Sequence, residues 1–290
     1  MKSLKKYIYL SIAAAVVTIL LKFSAWYVTD SVGLLSDALE SCVNLVAALV
    51  ALLMLTIAEK PADDGHSFGH GKAEYFSSAI EGILIIIAAI LIIKSAIPRI
   101  IHPQELENVG VGLIISTGAS FINLFVALVL IKNGKKHNSI TLEADGKHLM
   151  TDVYTSVGVF IAIAIVKLTG ILILDGIIAI IVAINILWAG YQLIARSTSG
   201  LLDCSLSKND LMKIDEKLKS LPQDIDYHKV LTRQAGQQKF IEFHLLVPDE
   251  WTVKKAHDLA DIVENDISSL FSFTKVTIHI EPKNDPASYL

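Results

Sequence analysis

Apolar residues dominate six long stretches in the first two thirds of the chain, and charged residues are nearly confined to the segments between them. A helix needs about 20 consecutive apolar residues to cross the hydrocarbon layer of a membrane. Each stretch comes near or exceeds that length, so the pattern predicts a membrane protein with six transmembrane helices. The predicted spans are Tyr7–Tyr27, Leu34–Ile57, Phe76–Ile100, Val109–Ile131, Leu142–Leu168 and Ile171–Leu193.

The pattern changes near Leu201, after which Lys, Asp and Glu become frequent and no run of membrane length remains. The spacing of apolar residues there predicts helices over 207–221 and 252–271 and strands over 227–233, 239–247 and 275–281. The order αββαβ predicts a small α+β domain. We therefore expect two domains, a six-helix transmembrane domain over 1–200 and a cytosolic domain over 201–290.

Lysine and arginine favour one side of the predicted spans. If the N-terminus lies inside, the outer segments carry only Arg99 and Lys167. The inner segments then carry Lys2, Lys5, Lys6, Lys60, Lys72, Lys132, Lys135, Lys136 and Arg196. The positive-inside rule predicts a multi-pass protein of the plasma (inner) membrane with both termini in the cytoplasm. The net charge of −4 does not favour nucleic-acid binding.

A short internal repeat relates the second and fifth spans at an offset of 108 residues. The two copies share Ser, Leu and Asp at equal spacing, and they align Glu40 with His148 and Asn44 with Asp152. Inverted repeats recur in transporters, where the substrate site lies at the repeat interface near the midplane. Residues three or four apart share one helix face. The repeat thus predicts a transport site for a divalent metal built from Glu40, Asn44, His148 and Asp152.

Single polar residues within a span often serve only as contacts between helices, and Asn44 alone would allow that interpretation. Charged side chains cost roughly 2.5–3.5 kcal/mol at the centre of a span on insertion scales. Ionisable groups at matching repeat positions therefore favour a functional site. Asp37 and Asp145 lie nearer their helix ends, where they could cap the helix or line an entry path, so we leave them out of the predicted ligands.

Several motifs together resemble the cation diffusion facilitator family over nearly the whole chain, closest to its bacterial zinc- and iron-exporting, YiiP-like branch. They are GLLSDALExxxN from Gly33, PADDGHSFGHGKAE from Pro61, HxxxD from His148, TRQAG from Thr232 and IHIEP from Ile278. The resemblance implies a homodimeric exporter that couples metal efflux to protons and alternates between inward- and outward-facing states. It also implies that residues 1–200 form the transport domain and that the α+β domain is metallochaperone-like, senses metal and mediates dimerisation.

The resemblance further assigns residues outside the spans. It implies a second metal site in the loop between the second and third spans, formed by Asp63, His66 and His70. It implies a dimer-bridging metal cluster in the cytosolic domain, formed by His228, His244, His257, His279 and Glu281. It implies an interdomain salt bridge between Lys72 and Asp203.

The donor atoms bear on the choice of metal. One carboxylate with two imidazoles, as in the loop site, suits zinc, cobalt or nickel rather than calcium or magnesium. One imidazole with carboxylates at the transport site suits Zn²⁺, with Fe²⁺, Co²⁺ and Cd²⁺ as alternatives. Asn44 departs from the commonest family pattern because an amide replaces an anion. Asparagine cannot take up a proton, so His148 is the leading candidate for proton coupling.

Two other classes of protein fit parts of the pattern. A membrane-anchored metal sensor explains the histidines of the last domain but not the ionisable residues within the spans. A membrane hydrolase using His148 and Asp152 lacks an obvious serine or cysteine nucleophile, so we do not expect an enzyme. The prediction is therefore proton-coupled efflux of a divalent transition metal, most simply zinc, as substrate and as structural or regulatory ion.

Overall fold

The computed structural model describes residues 4–29, 32–103 and 110–289. Within these ranges, a few positions are described by their backbone alone: residues 25, 28, 29, 32–37, 40, 110–113, 116 and 167.

Six long helices form the first part of the chain, and each contains a stretch long and apolar enough to cross a membrane. They are α1 (Lys5–Thr29), α2 (Val32–Ala58), α3 (Ala73–Ile101), α4 (Gly110–His137), α5 (Ile140–Thr169) and α6 (Ile173–Leu201). The six predicted spans are therefore confirmed as helices. Helices α4 and α6 extend well past the predicted spans because hydropathy marks the apolar length, not the residue at which the helix ends.

Two clusters of buried side chains hold the six helices together. The larger joins α1, α2, α4 and α5, with Ile8, Leu55, Leu130 and Leu149 among its most buried members. The smaller joins α3, α5 and α6, and Ile186 of α6 lies within it. Helix α5 belongs to both clusters, so it joins α1, α2 and α4 to the α3–α6 pair. This central position suits a helix that carries half of the predicted transport site.

Large apolar side chains also cover the outside of the bundle. On each of the six helices at least one is about half exposed or more, for example Leu20, Ile90, Phe121, Ile181 and Trp188. Contiguous apolar surface of this extent is not tolerated in water but is the normal outer surface of a protein within lipid. The exposed apolar residues therefore agree with a multi-pass membrane protein.

The remaining residues form a small α+β domain. Its elements are α7 (Lys208–Lys219), β1 (Asp226–Ala235), β2 (Gln238–Val247), α8 (Val253–Ser268) and β3 (Thr274–Pro282), followed by a short 3₁₀ helix (Pro286–Tyr289). The predicted order αββαβ is confirmed, and the 3₁₀ helix was not predicted. The predicted end of the second helix at Phe271 is wrong by three residues. There the chain turns toward β3 through Phe273, which has a φ of 56° and whose carbonyl accepts the backbone N–H of Lys239.

The sheet of this domain has the order β1-β2-β3, with β1 antiparallel and β3 parallel to the central β2. Apolar side chains of one sheet face form a core with both helices. Its fully buried members include Ile214, Ile241, Phe243 and Ile267. Alternation along β2 turns His244 to the opposite face. The helices thus cover one face and leave the histidine-bearing face uncovered by them.

The chain divides into two compact units, the first reaching to Thr198 and the second beginning at Ser199. The first holds the six apolar helices and the second holds the α+β domain.

Candidate metal centres

The two polar stripes of the repeat meet inside the helix bundle. Asn44 of α2 and Asp152 of α5, which occupy equivalent repeat positions, are joined by a 2.5 Å hydrogen bond from the amide Nδ2 to the carboxylate Oδ2. His148, one turn before Asp152, places its Nε2 2.8 Å from Asn44 Oδ1. All three side chains are buried. The structure therefore brings three of the four predicted transport-site residues into direct contact.

The donors and acceptors of this trio are fixed by chemistry. Only the amide nitrogen of Asn44 can donate to a carboxylate, so its oxygen must face His148. A carbonyl oxygen accepts but does not donate, so the Nε2 of His148 carries a hydrogen in this arrangement. A metal ion bound by the same Nε2 would have to replace that hydrogen. The trio thus presents one proton at the place where a cation would bind.

The fourth predicted ligand, Glu40, lies one helical turn before Asn44 on α2. Its side chain is outside the described part of the structure, and the side chain of Asp37 is outside it as well. The assignment of Glu40 as a ligand therefore stays a prediction.

Two further buried side chains, which are not among the predicted ligands, contact this trio. Asn123 of α4 donates a 3.0 Å hydrogen bond to Asp152 Oδ2. Glu81 of α3 places a carboxylate oxygen 3.2 Å from His148 Nδ1. Glu81 is the one acidic residue within its predicted span, and the cost of burying a charge in lipid could have identified it. Asn123 is neutral and has no such signal.

A cavity of about 610 Å³ adjoins the trio. Its polar end is formed by Asn44, His148 and Asp152, and apolar residues of α3, α5 and α6 form much of its wall. At the other end lie Arg99 of α3 and Asp175 of α6, which form a 2.9 Å ion pair. The cavity therefore connects the buried trio with the ends of α3 and α6 that carry this pair.

A second group of potential ligands lies in the loop between α2 and α3. Asp63 Oδ1 accepts the backbone N–H of His66 at 2.7 Å, and its Oδ2 lies 3.5 Å from the Nε2 of His70. One ligand atom from each of the three residues lies within 4.8 Å of the others. The backbone hydrogen bond from His66 is the main reason that the pKa of Asp63 is below its ordinary value. The loop thus presents an ionised carboxylate and two imidazoles to one point.

The third group forms across the sheet of the C-terminal domain. Strand register places His228 of β1 opposite His244 of β2, and His244 opposite His279 of β3. The rings of neighbouring histidines lie 5.1 and 4.9 Å apart between centroids. Because paired residues point to the same sheet face, the three imidazoles form a row on the face opposite the helices.

Glu281 connects this row. Its carboxylate oxygens lie 2.8 Å from His228 Nε2, 3.0 Å from His244 Nδ1 and 3.5 Å from His279 Nε2. Burial raises the pKa of Glu281, but its contacts with His228 and His244 outweigh that effect and leave the pKa below its ordinary value. One ligand atom from each of His228, His244 and Glu281 lies within 4.8 Å of the other two. His279 is two-thirds exposed at the edge of the group.

The structure places the other predicted residues apart from these groups. His257 lies exposed on α8, 3.6 Å from Asp261, one turn further along the helix. Asp203 lies 3.3 Å from Arg233 within the C-terminal unit. Lys72 precedes α3 in the helical unit. The predicted Lys72–Asp203 salt bridge would join the two units, and it stays a prediction, as does the role of His257.

Several known proteins are similar to this chain over nearly its whole length. A Synechocystis protein described as an uncharacterized transporter is 46% identical over 288 residues, covering 98% of this chain and 92% of its own. The cation-efflux pump FieF of Serratia proteamaculans is 30% identical over 270 residues, covering 93% and 90%. FieF of Shewanella oneidensis is 29% identical over 272 residues, covering 94% and 92%.

Solved structures match a shorter part. A structure of CzrB, described as a candidate zinc transporter in its Zn form, is 30% identical. It covers 28% of this chain and 93% of its own, with a TM-score of 0.25.

Two family models account for most of the chain. The cation efflux transmembrane domain matches residues 8–202, and the cytoplasmic domain of cation efflux proteins matches residues 206–283. The chain therefore belongs to the cation diffusion facilitator family and is a multi-pass membrane transporter for cation efflux.

Proposed function

We propose that this transporter exports a divalent transition-metal ion, zinc in the first place, from the cytoplasm in exchange for protons by alternating access. The observation that carries the proposal is the buried contact of Asn44, His148 and Asp152 at the polar end of the cavity. Glu40 is proposed as the fourth ligand on its position in the repeat.

The donor set supports a transition metal as the substrate. An imidazole nitrogen and carboxylate oxygens suit Zn²⁺, and they also suit Fe²⁺, Co²⁺ and Cd²⁺. Magnesium and calcium prefer sites made of oxygen ligands alone. The loop group of Asp63, His66 and His70 has the same mixed nitrogen–oxygen chemistry, and we propose it as a second metal site.

The hydrogen on His148 Nε2 supports exchange of metal for protons. This hydrogen points at Asn44 Oδ1. A metal ion from the cytoplasm would take its place between Nε2 and Oδ1, and a proton arriving from outside would expel the ion in turn. Binding of metal and binding of the proton are then mutually exclusive at one atom, which is the requirement for coupled exchange.

The positions of lysine and arginine support the orientation. Of those that flank the predicted spans, nine lie on one side and two on the other, as the positive-inside rule requires for cytoplasmic termini in the inner membrane. The loop site and the C-terminal domain then both face the cytoplasm, where the metal is to be collected.

The C-terminal domain is proposed to act as a dimeric metal sensor. The match to the cytoplasmic domain of cation efflux proteins supports this assignment. Metal bound by His228, His244 and Glu281, with His279 and His257 as further predicted ligands, would stabilise the bound form as cytosolic zinc rises. Lys72 and Asp203 are proposed to join the helical and C-terminal domains.

The decisive experiment measures zinc uptake and proton flux in proteoliposomes. His148→Ala removes the group at which metal and proton compete, so zinc transport should fall at least about tenfold and its pH dependence should flatten. His102→Ala is the matched control, because His102 is exposed at the end of α3 and away from the trio. Normal zinc transport by His148→Ala with the pH dependence of the wild type would refute the scheme.

Metal identity is tested in the same vesicles. Counterflow of labelled zinc, iron, cobalt and manganese ranks the substrates directly, and zinc is expected to exchange fastest. Metal-dependent proton flux would be absent if the protein were only a membrane-anchored sensor.

A further inference from the structure

Glu81 is a buried carboxylate with an unusual environment. Its side chain is 1% exposed, and neither of its oxygens accepts a hydrogen bond from any described residue. A carboxylate removed from water requires a donor or a cation to offset the loss of hydration. Nδ1 of His148 lies 3.2 Å from Glu81 Oε2, which is within ion-pair distance.

The backbone at Glu81 is held firmly by helix packing. Gly82, the next residue of α3, lies so close to α6 that a Cβ atom there would meet the carbonyl oxygen of Gly190 at 3.0 Å and the side chain of Ile194 at 2.8 Å. Close contact of two helices at a glycine leaves little room for α3 to shift. The carboxylate of Glu81 is therefore presented to α5 from a fixed position.

The two nitrogens of His148 face opposite demands. Asn44 Oδ1 lies 2.8 Å from Nε2 and favours the tautomer with a hydrogen on that atom. The proposed exchange releases a proton only if both nitrogens carry a hydrogen before the metal binds. The neutral ring left afterwards has one N–H hydrogen, which on Nε2 would block metal binding. A carboxylate at Nδ1 favours the tautomer that keeps this hydrogen on Nδ1 and the lone pair on Nε2.

We propose that Glu81 is a positioning residue of the transport site, which holds the hydrogen on His148 Nδ1 so that Nε2 becomes available to the metal. The inference rests on the proposed function and deepens it. Ligating histidines commonly donate their second N–H to a carboxylate, which fixes the ring and strengthens the ligand. Glu81 acts through the imidazole, so its influence should be strongest for metals that depend on a nitrogen ligand.

Zinc and manganese separate this role from a merely structural one. Zinc binds imidazole well, whereas manganese binds well to carboxylate, carbonyl and water oxygens alone. Glu81→Leu keeps the side chain buried but removes the acceptor. Its KM for zinc in proteoliposomes should rise at least about tenfold, while its KM for manganese stays within about threefold of the wild type. Glu81→Gln retains an uncharged acceptor, so its KM for zinc should fall between the two.

Glu74→Gln is the matched control. Glu74 lies on the same helix and is also 1% exposed, but it binds the side chain of Ser139 at the start of α5 and not His148. Its KM for zinc should equal that of the wild type, whatever happens to its stability.

The outcomes are distinguishable. A KM for zinc of Glu81→Leu equal to the wild type, or equal factors of increase for zinc and manganese, would overturn the inference while leaving metal transport intact. If Glu81→Leu does not fold, as judged by size-exclusion chromatography in detergent, Glu81→Gln and Glu74→Gln decide. Equal zinc KM values for these two overturn the inference. If the wild-type protein moves neither metal, the proposed function fails and the inference falls with it.

Discussion

At the scale of single residues, Asn44 places a neutral amide at the proposed transport site. Its Nδ2 donates to Asp152 Oδ2 at 2.5 Å and so satisfies a buried carboxylate oxygen without adding a charge. A carboxylate in its place would attract a divalent cation more strongly and release it less readily. We therefore expect the asparagine to favour release of the metal over tight binding.

Replacing Asn44 by Asp tests whether tighter metal binding slows metal release. Two carboxylates at hydrogen-bond distance stabilise a bound cation, so the KM for zinc should fall about tenfold, which corresponds to about 1.4 kcal/mol. The maximal rate should fall as well because release slows. Initial rates of zinc uptake in proteoliposomes give both values. Asn133→Asp is the control, because the Asn133 amide donates to the backbone carbonyl of Val129 in its own helix. A lower rate at unchanged KM would contradict the explanation.

The trio of Asn44, His148 and Asp152 could be predicted from sequence because the repeat and the helical spacing place these residues on two facing stripes. Glu81 and Asn123 could not be assigned to the same site, since they lie on helices without a matching repeat. Sequence spacing shows which residues share a helix face, but not which faces of different helices meet. Knowing the packing of α3 and α4 against α5 was necessary to find them.

At the scale of elements, the contact between α3 and α6 depends on glycine. A Cβ at Gly82 would meet the carbonyl oxygen of Gly190 at 3.0 Å, and one at Gly190 would meet that of Gly82 at the same distance. Neither backbone can yield without separating the helices. Close approach through small residues is a common mode of packing in membranes.

Gly82→Ala should therefore destabilise the helix bundle, by about 1–3 kcal/mol if it behaves as an overpacked core site. Gly118→Ala offers a control within α4, because a Cβ there would meet nothing within 4 Å. Alanine at that position should leave stability unchanged or raise it by about 0.5–1 kcal/mol through helix propensity. Thermal unfolding in detergent compares the two. Equal midpoints for both variants would disprove the proposed close packing.

The junction of α7 and β1 gives a pH-dependent stability. Asp215 accepts hydrogen bonds from Lys219 at 2.6 Å and from Tyr227 at 2.9 Å, and these bonds, the one from Lys219 first, lower its pKa. Because the folded state binds this proton less readily than the unfolded state, the stabilisation is full above a pH of about 4. It is lost as the pH falls through the lowered value.

Asp215→Asn should accordingly lower the unfolding midpoint of the C-terminal domain at pH 7, and the difference from the wild type should shrink below a pH of about 4. Circular dichroism of the full-length protein in detergent measures both. Asp258→Asn breaks a more exposed pair with Lys254 and should have a smaller effect. A difference from the wild type that grows on acidification would show that the sign is wrong.

The elements themselves were largely predictable. Long apolar runs cannot avoid forming helices in lipid, because every backbone hydrogen bond must be made within the segment. The alternation in β2 likewise explains why Ile241 and Phe243 lie together in the core. The ends of the elements were less predictable. The turn at Phe273 depends on a contact with β2 and the 3₁₀ helix Pro286–Tyr289 on a contact with β3, and local sequence reveals neither.

At the scale of the whole molecule, the chain combines a helical unit that holds the proposed transport site with an α+β unit that holds a separate group of ligands. Zinc that binds the second unit in its folded form would stabilise that form increasingly as the zinc concentration rises. Transport and sensing would then respond to the same ion at different sites.

Truncation at Asp203 should therefore flatten the dependence of transport rate on internal zinc while leaving a basal rate. His244→Ala in the full-length chain removes the central histidine of the row and keeps the domain, so it should reproduce the flattening without the truncation. Zinc uptake into vesicles, measured at graded zinc concentrations on the cytosolic face of the transporter, tests both variants. A dependence on internal zinc like that of the wild type in either variant would argue against sensing by this domain.

The alignment of His228, His244 and His279 across three strands has a consequence for biosynthesis. Strand register alone brings these residues together, and a slip of one residue would turn a histidine to the other face of the sheet. The row is complete only when β3, the last strand to leave the ribosome, has paired with β2. Metal binding by this row would therefore begin only after all three strands have been translated and paired in the correct register. A newly made protein could not bind metal there at an earlier stage.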